Sequence, residues 1–271
     1  MQDRAFIDQL ADTWWATAEL GEVLAAQEWD APTECPGWSV KDHLSHMVGT
    51  ELMLLGLPSP PAAAAASHIR NPLGEMNEAW VEERRSRPAP EVLAEWRSAV
   101  SRRLDALRAM SSADLSVPTP SPIGQVPYSE FMSVRVMDCW VHEQDMRQAT
   151  GRPWRLEGPA APAALQRLDG SFAYVVGKRV APQEGTRLAL EVHGPLARVL
   201  AVAVEGGRAV PAEVGIAGER LDARIGVDAR TYVRLVTGRL AGDAALEGGL
   251  VALEGDRRLG EAVIRSLAVV P

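Results

Sequence analysis

SEFMSVRVMDCWVHEQDMRQAT, residues 129–150, reads as one long helix halted by Gly151. Neither proline nor glycine interrupts it, and glycine most readily takes the left-handed turn that closes a helix. Asp138, His142 and Asp145 within it are spaced i, i+4 and i, i+7. That spacing stacks them on one helical face. A carboxylate and an imidazole one turn apart are placed to chelate a single ion. One histidine from a facing helix completes a three-ligand site with an open position, the arrangement of catalytic zinc and related divalent metals. The same pair also makes an ordinary solvated helix contact, so the facing helix decides between the two readings.

The candidate partner is SVKDHLSHMVGTELMLLG, residues 39–56. Ser39 reads as its N-cap and Asp42 as the third residue of a capping box. His46 is the better-placed third ligand, with Asp42 four residues earlier to orient its ring. His43 competes with His46. Glu143 competes with Asp138, but it points about 100° away from His142 on the helix.

The rest of the first half is also helical. One helix is expected over residues 3–27, with Ile7, Leu10, Trp14, Ala18 and Leu20 near one stripe, and two more over 72–87 and 90–110. PSPPAAAAAS (58–67) reads as a loop by its prolines. SVPTPSPIGQVP (116–127), with four prolines, reads as a long surface connection. Bundles with long crossovers commonly hold metal sites between facing helices. Trp14, Trp15, Trp38 and Trp140 read as bundle core, with one of them a candidate to border a ligand pocket. Cys139 reads as a buried thiol and Arg147 as a helix cap or an acid's partner. No C-x-x-C joins Cys35 to Cys139.

Composition splits the chain in two. All eight tryptophans fall in the first 154 residues. Residues 1–155 carry 22 acids against 14 Lys/Arg, while residues 156–271 carry 14 of each. Alternating runs such as TRLALEVHG and RVLAVAVEGG begin after residue 185, the period of half-buried strands. Gly and Pro in GRPWRLEGPA (151–160) punctuate a connection, which gives domains 1–155 and 156–271. The second half is expected to run helix 160–181, strands 186–193, 198–205, 209–216 and 221–227, helix 228–238, strand 250–254 and helix 257–268. There is neither a P-loop nor a G-x-G-x-x-G after a strand, hence no nucleotide fingerprint.

The 271 residues are 46% hydrophobic and 24% charged, as in a soluble protein with a sizeable core. A net charge of −8 argues against a nucleic-acid partner. No apolar run reaches the ~18 residues that cross a bilayer, and the first residues lack a signal-peptide core. A cytoplasmic location without a membrane partner is the expectation.

Three segments carry a resemblance. PTECPGWSVKDHLSHMVGTE (32–51) resembles the helix-two signature of the DinB-like, mycothiol-dependent maleylpyruvate isomerase family. DCWVHEQDMRQATGRP (138–153) is similar to its acid-x-x-x-His signature, and DARTYVRLVTGRLAGDAALEGGLVALEGD (228–256) to its C-terminal domain. The resemblance implies an α+β fold: an N-terminal DinB-like four-helix bundle, then a smaller sterol-carrier-like α/β domain. It implies His46, Asp138 and His142 as ligands of a divalent ion, usually zinc, and mycothiol as thiol cosubstrate. It also implies Arg239, in a T-G-R turn, as an arginine facing the ion across a pocket between the domains. The family's isomerases tend to carry glutamate where this chain has Asp138, one methylene longer.

A chain of this kind activates a small-molecule thiol for addition to an electrophile. Loss of the thiol from the adduct gives cis–trans isomerisation, and retention gives S-transfer. It would act as a monomer or homodimer. A metal-dependent hydrolase and a non-catalytic binding module for an apolar small molecule are the competing classes.

Overall fold

A computed structural model describes residues 4–61, 67–213 and 220–270. The chain divides into two compact units, Met1–Ala164 and Leu165–Pro271, and its architecture is α+β. The first unit holds α1 (Ala5–Val23), α2 (Val40–Leu54), α3 (Pro72–Arg85), α4 (Ala89–Ala109), the single turn α5 (Ser112–Leu115) and α6 (Tyr128–Ala149). Helix α1 packs on α4 and α6, and α2 packs on the same two, so these four close into a bundle with α3 laid against α2. Its core is apolar and large: Leu10, Trp14, Leu44, Met47, Trp96, Leu107, Met132 and Trp140 are fully buried. Trp14 and Trp96 meet edge to face at 6.2 Å, and the Trp96 indole donates to the Trp14 carbonyl. Trp15, by contrast, is 40% exposed. It sits one residue, or about 100°, round the helix from Trp14, so the two cannot share the core face.

The structure adds one pair of strands and corrects two helices. Within the surface connection 116–127, Pro118–Ser121 (β1) and Gly124–Pro127 (β2) pair antiparallel as a ribbon leading into α6. Both strands of a two-stranded ribbon are edges, where a missing N–H is tolerated, so the prolines do not forbid pairing. The helix expected over 160–181 is broken: α7 (Ala160–Asp169) stops before Gly170, a three-residue α8 (Phe172–Tyr174) follows, and Val175–Val180 form a π-helical turn. The first helix also ends earlier than expected, and Ala26–Asp30 form a separate 3-10 turn. The alanines at 62–66 and the end of the strand expected over 209–216 lie outside the described residues.

Glycine matters most at Gly49. It lies where α2 meets Trp80 of α3, and a Cβ there would overlap the Trp80 side chain at its own Cβ and Cγ. Those are the rigid base of a buried indole, so neither side can yield easily. Gly49→Ala is therefore expected to destabilise the first unit by about 2 kcal/mol. Overpacking costs about 1–3 kcal/mol, and the roughly 1 kcal/mol of added helix propensity offsets only part of a severe overlap. Urea denaturation followed by tryptophan fluorescence checks it, since all eight indoles belong to this unit.

The second unit is built on a five-stranded sheet in the order β5-β4-β3-β6-β7. Its strands are β3 (Arg187–His193), β4 (Arg198–Glu205), β5 (Arg208–Pro211), β6 (Ala223–Asp228) and β7 (Val251–Gly255). Only β3 and β6 run parallel; the other pairs are antiparallel. Leu188, Leu190, Val192, Ile225 and Val227 put the two central strands into the core. Helices α9 (Ala229–Val236), α10 (Gly242–Glu247) and α11 (Arg257–Ser266) complete the unit, α9 capped by Asp228 accepting from the Arg230 and Thr231 amides. The short α10 was not legible in the sequence. Among the described residues no helix is long and apolar enough to cross a membrane.

Candidate metal centre

Helix α2 begins as its sequence requires. The Ser39 hydroxyl accepts from the Asp42 amide, and the Asp42 carboxylate accepts in return from the Ser39 amide and hydroxyl. The preceding turn folds back through Gly37 at φ +83°, with Thr33 donating its hydroxyl to the Trp38 carbonyl. This fixes the start of α2, and therefore the direction of His43 and His46, against α6.

The two helices bring His46, Asp138 and His142 together. His46 Nε2 lies 3.4 Å from Asp138 Oδ2, and His142 Nε2 lies 3.4 Å from Asp138 Oδ1. Those separations are long for hydrogen bonds, and each ring nitrogen faces a different oxygen of the one carboxylate. One donor atom from each residue falls within 4.8 Å of the others. His46 Nδ1 is buried and without a hydrogen-bond partner. The expectation that Asp42 orients that ring is thus corrected: its carboxylate is engaged by the helix cap and lies 3.6 Å from Arg85 Nε. The cap already uses the oxygen that the ring would need.

Electrostatics favour the ligating forms of His46 and Asp138. Burial pushes the His46 imidazolium down, so the ring is neutral with a lone pair to give. Burial alone would raise Asp138, but the Arg135 guanidinium and the His142 ring overcome it and hold the carboxyl well below its usual range. For His142 burial works downward, yet Asp138 and Asp145 together raise it: the pocket attracts positive charge. Behind Asp138 runs a buried chain of charge. Arg135 pairs with both Asp138 and Glu51, and Glu51 also accepts from Arg103 Nε at 2.9 Å.

The other candidates have separate places. Asp145 Oδ2 sits 3.2 Å from His142 Nδ1, on the far side of the ring from Asp138. His43 does not displace His46; its Nδ1 lies 2.9 Å from His142 Nδ1. Glu143 faces the opposite side of α6, accepting from Thr13 Oγ1 and Arg147 Nε, which also accounts for Arg147. Cys139 is buried under Trp14 and Arg135, and burial pushes its thiol up to about 12, so it is no nucleophile. Trp38, rather than lying in the core, covers the cluster, its ring centroid 5.2 Å from His46 and 6.0 Å from His142. Its indole donates to Glu78, which fixes the ring. Sequence reasoning missed Arg135 and Glu51; the i, i+3 spacing of Arg135 to Asp138 was the available signal. Arg239 belongs to the second unit, where its Nη1 donates to the Thr237 carbonyl at 2.8 Å.

Two partly buried carboxylates, Glu78 under Trp38 and Glu95 between Arg84 and Arg87, carry a pH prediction. Burial alone would raise Glu78 and Glu95, but His68, Trp38 and Arg85 around the first and Arg84 and Arg87 around the second lower both below the usual 4.5. A depressed carboxylate contributes stability that is present above its unfolded value and lost as pH falls through the folded one. The first unit is therefore expected to lose stability progressively below about pH 4.5, and Glu95→Gln to flatten that dependence in fluorescence-monitored melts between about pH 6 and pH 3.

Comparison with known proteins places the bundle in a family. Residues 10–147 match the model of the mycothiol maleylpyruvate isomerase N-terminal domain. Two proteins from strains of Mycobacterium tuberculosis, both called uncharacterized, are 28% identical over 179 residues, 64% of this chain. The match spans 66% of the length of these curated relatives. A crystal structure of the mycothiol-dependent maleylpyruvate isomerase aligns over 87% of this chain and 88% of its own, at 17% identity and TM-score 0.57. A histidine-to-alanine mutant of that enzyme aligns over the same shares, at 16% and 0.56. This likeness is one of fold. With residues 10–147 spanning the bundle from α1 to α6, the chain belongs to the mycothiol maleylpyruvate isomerase family.

Proposed function

We propose that the chain is a mycothiol-dependent metalloenzyme that adds the thiol to a small electrophile, as an isomerase or an S-transferase. The observation that carries this reading is the convergence of His46, Asp138 and His142, one donor atom of each within 4.8 Å of the others. These three residues would hold the ion, which the donor set suits as zinc. Bound there, zinc would stabilise a coordinated thiol as thiolate at neutral pH.

The chain's own residues supply the setting. Asp145 accepts from His142 Nδ1–H, leaving the Nε2 lone pair directed at the site. The Asp138 side chain is 27% exposed against 5% for His46 and 8% for His142, so small molecules approach from its side. Trp38 covers the rings and keeps water from the imidazole face. On the family resemblance we assign Arg239 the task of holding a substrate carboxylate through its planar fork.

Calorimetry of zinc-loaded protein with mycothiol, followed by turnover with a panel of electrophiles, tests the reading. Heat on mixing and thiol-dependent turnover are expected. Protein that gives neither would end the thiol role. Turnover equal with and without thiol would point instead to hydrolysis.

A further inference from the structure

Asp138 is the least enclosed of the three proposed ligands. Trp38 and the buried faces of α2 and α6 hold the two histidine rings, but packing gives the carboxylate less support. An aspartate has two rotatable side-chain bonds, and their settings decide which oxygen meets which histidine. Among the described residues, Arg135 is the only side chain besides those histidines that reaches the Asp138 carboxylate. Its Nη1 donates to Oδ2, the oxygen that also faces His46, and leaves Oδ1 toward His142.

Arg135 is itself held at each of its nitrogens. Nε and Nη2 donate to Glu51 Oε1 at 3.1 and 2.8 Å, and Nη2 also donates to Cys139 Sγ at 3.2 Å. Glu51 is fixed in turn by Arg103 Nε on its other oxygen, and Arg103 donates onward to the Tyr128 hydroxyl at 2.9 Å. The planar guanidinium of Arg135 therefore cannot turn without breaking a buried hydrogen bond. A strut runs from α4 through α2 to α6 and ends at Asp138. Its charges balance, Arg103 and Arg135 against Glu51 and Asp138.

A guanidinium beside a metal ligand has two opposed effects: its charge repels a cation, and its hydrogen bond holds the ligand oxygen in place. Glu51 cancels the charge of Arg135 at close range, so the geometric effect prevails here. We infer that Arg135 is a positioning residue for the metal centre, setting the Asp138 carboxylate between His46 and His142 before an ion arrives. The inference rests on the ion-binding reading of those three residues and adds to it the group that orders one of them.

Zinc affinity, measured on folded apoprotein by competition with a chromophoric chelator, tests this, with Arg103→Met as the control. Arg135→Met and Arg103→Met each remove one buried positive charge from the same strut, but only the first releases Asp138. Loss of a hydrogen-bond partner behind a metal ligand costs about 10–100-fold in affinity. Arg135→Met is expected to bind zinc about 10-fold or more weakly than the wild type, and Arg103→Met within about threefold of it. Cobalt-loaded Arg135→Met should also shift its visible absorption bands, which report ligand geometry and not stability. Wild-type or tighter zinc binding by Arg135→Met would overturn the inference and leave the ion site standing. Equal weakening in both variants would overturn it too, because a general loosening of the bundle would then be the cause. Where Arg135→Met does not fold, Arg135→Lys keeps the charge balance and is held to the same two thresholds. Wild-type zinc content no higher than that of His46→Ala would defeat the ion site, and the inference with it.

Discussion

His142→Ala is expected to abolish metal binding at the site it forms with His46 and Asp138, and to reduce thiol-dependent turnover by about 1,000-fold or more. His142 presents both ring nitrogens to carboxylates, Asp138 on one side and Asp145 on the other, so no neighbour replaces it. Losing one of three protein ligands leaves a pair too weak to hold a divalent ion through desalting, since affinity at such sites rests on the full set. The fold should survive. The bundle core is Trp14, Trp96, Leu44, Met132 and their apolar neighbours, and Asp138 keeps its ion pair with Arg135. Elemental analysis, circular dichroism and turnover on one preparation check all three points. Full metal content in the variant would show that the ion is held elsewhere.

Glu51→Ala should have the largest effect on stability. Glu51 is fully buried on α2 and accepts from Arg103 Nε, Arg135 Nε and Arg135 Nη2 at 2.9, 3.1 and 2.8 Å. Its removal strands two guanidiniums that have little access to water. Arg103 keeps the Tyr128 hydroxyl and Arg135 keeps Asp138, but neither regains its charge balance. Breaking a buried pair by deleting one partner costs about 3–5 kcal/mol. At a urea slope of about 2 kcal/mol per molar, the midpoint of the first unit should fall by roughly 1.5 M or more. A shift below about 0.5 M would mean that the network is hydrated and contributes little.

Much of this was legible because the deciding signals are local. The capping box at Ser39 and Asp42, the stop at Gly151 and the i, i+4 spacing of Asp138 and His142 each concern one or two helical turns. The α6 helix and its acid–histidine face followed from them directly. What depended on the meeting of distant segments did not. Asp42 looked free to serve His46 because its spacing allows that, but the cap competes for the same carboxylate and wins by proximity. Cys35 looked isolated because its neighbours, Asp145 among them, come from another helix. Residue type put four tryptophans in the core with one of them beside a pocket, but it could not say that Trp15 turns out to solvent and that Trp38 is the one over the histidines. The prolines of 116–127 argued correctly against helix, and the short ribbon within that connection appears only where its two strands pair.

The donors of the cluster lie far apart along the chain: His43 and His142 are separated by 99 positions, with α3, α4, α5 and the β1–β2 ribbon between them. Closing so long a loop is entropically unfavourable and yields no contact within the cluster until α2 and α6 are already side by side. The ring nitrogens and carboxylates therefore meet on the native side of the folding barrier. Interactions made there slow the escape from the native state and leave the rate of arrival almost unchanged. A cation captured by these side chains would act as a latch on the finished bundle, setting how long it stays closed rather than how quickly it closes.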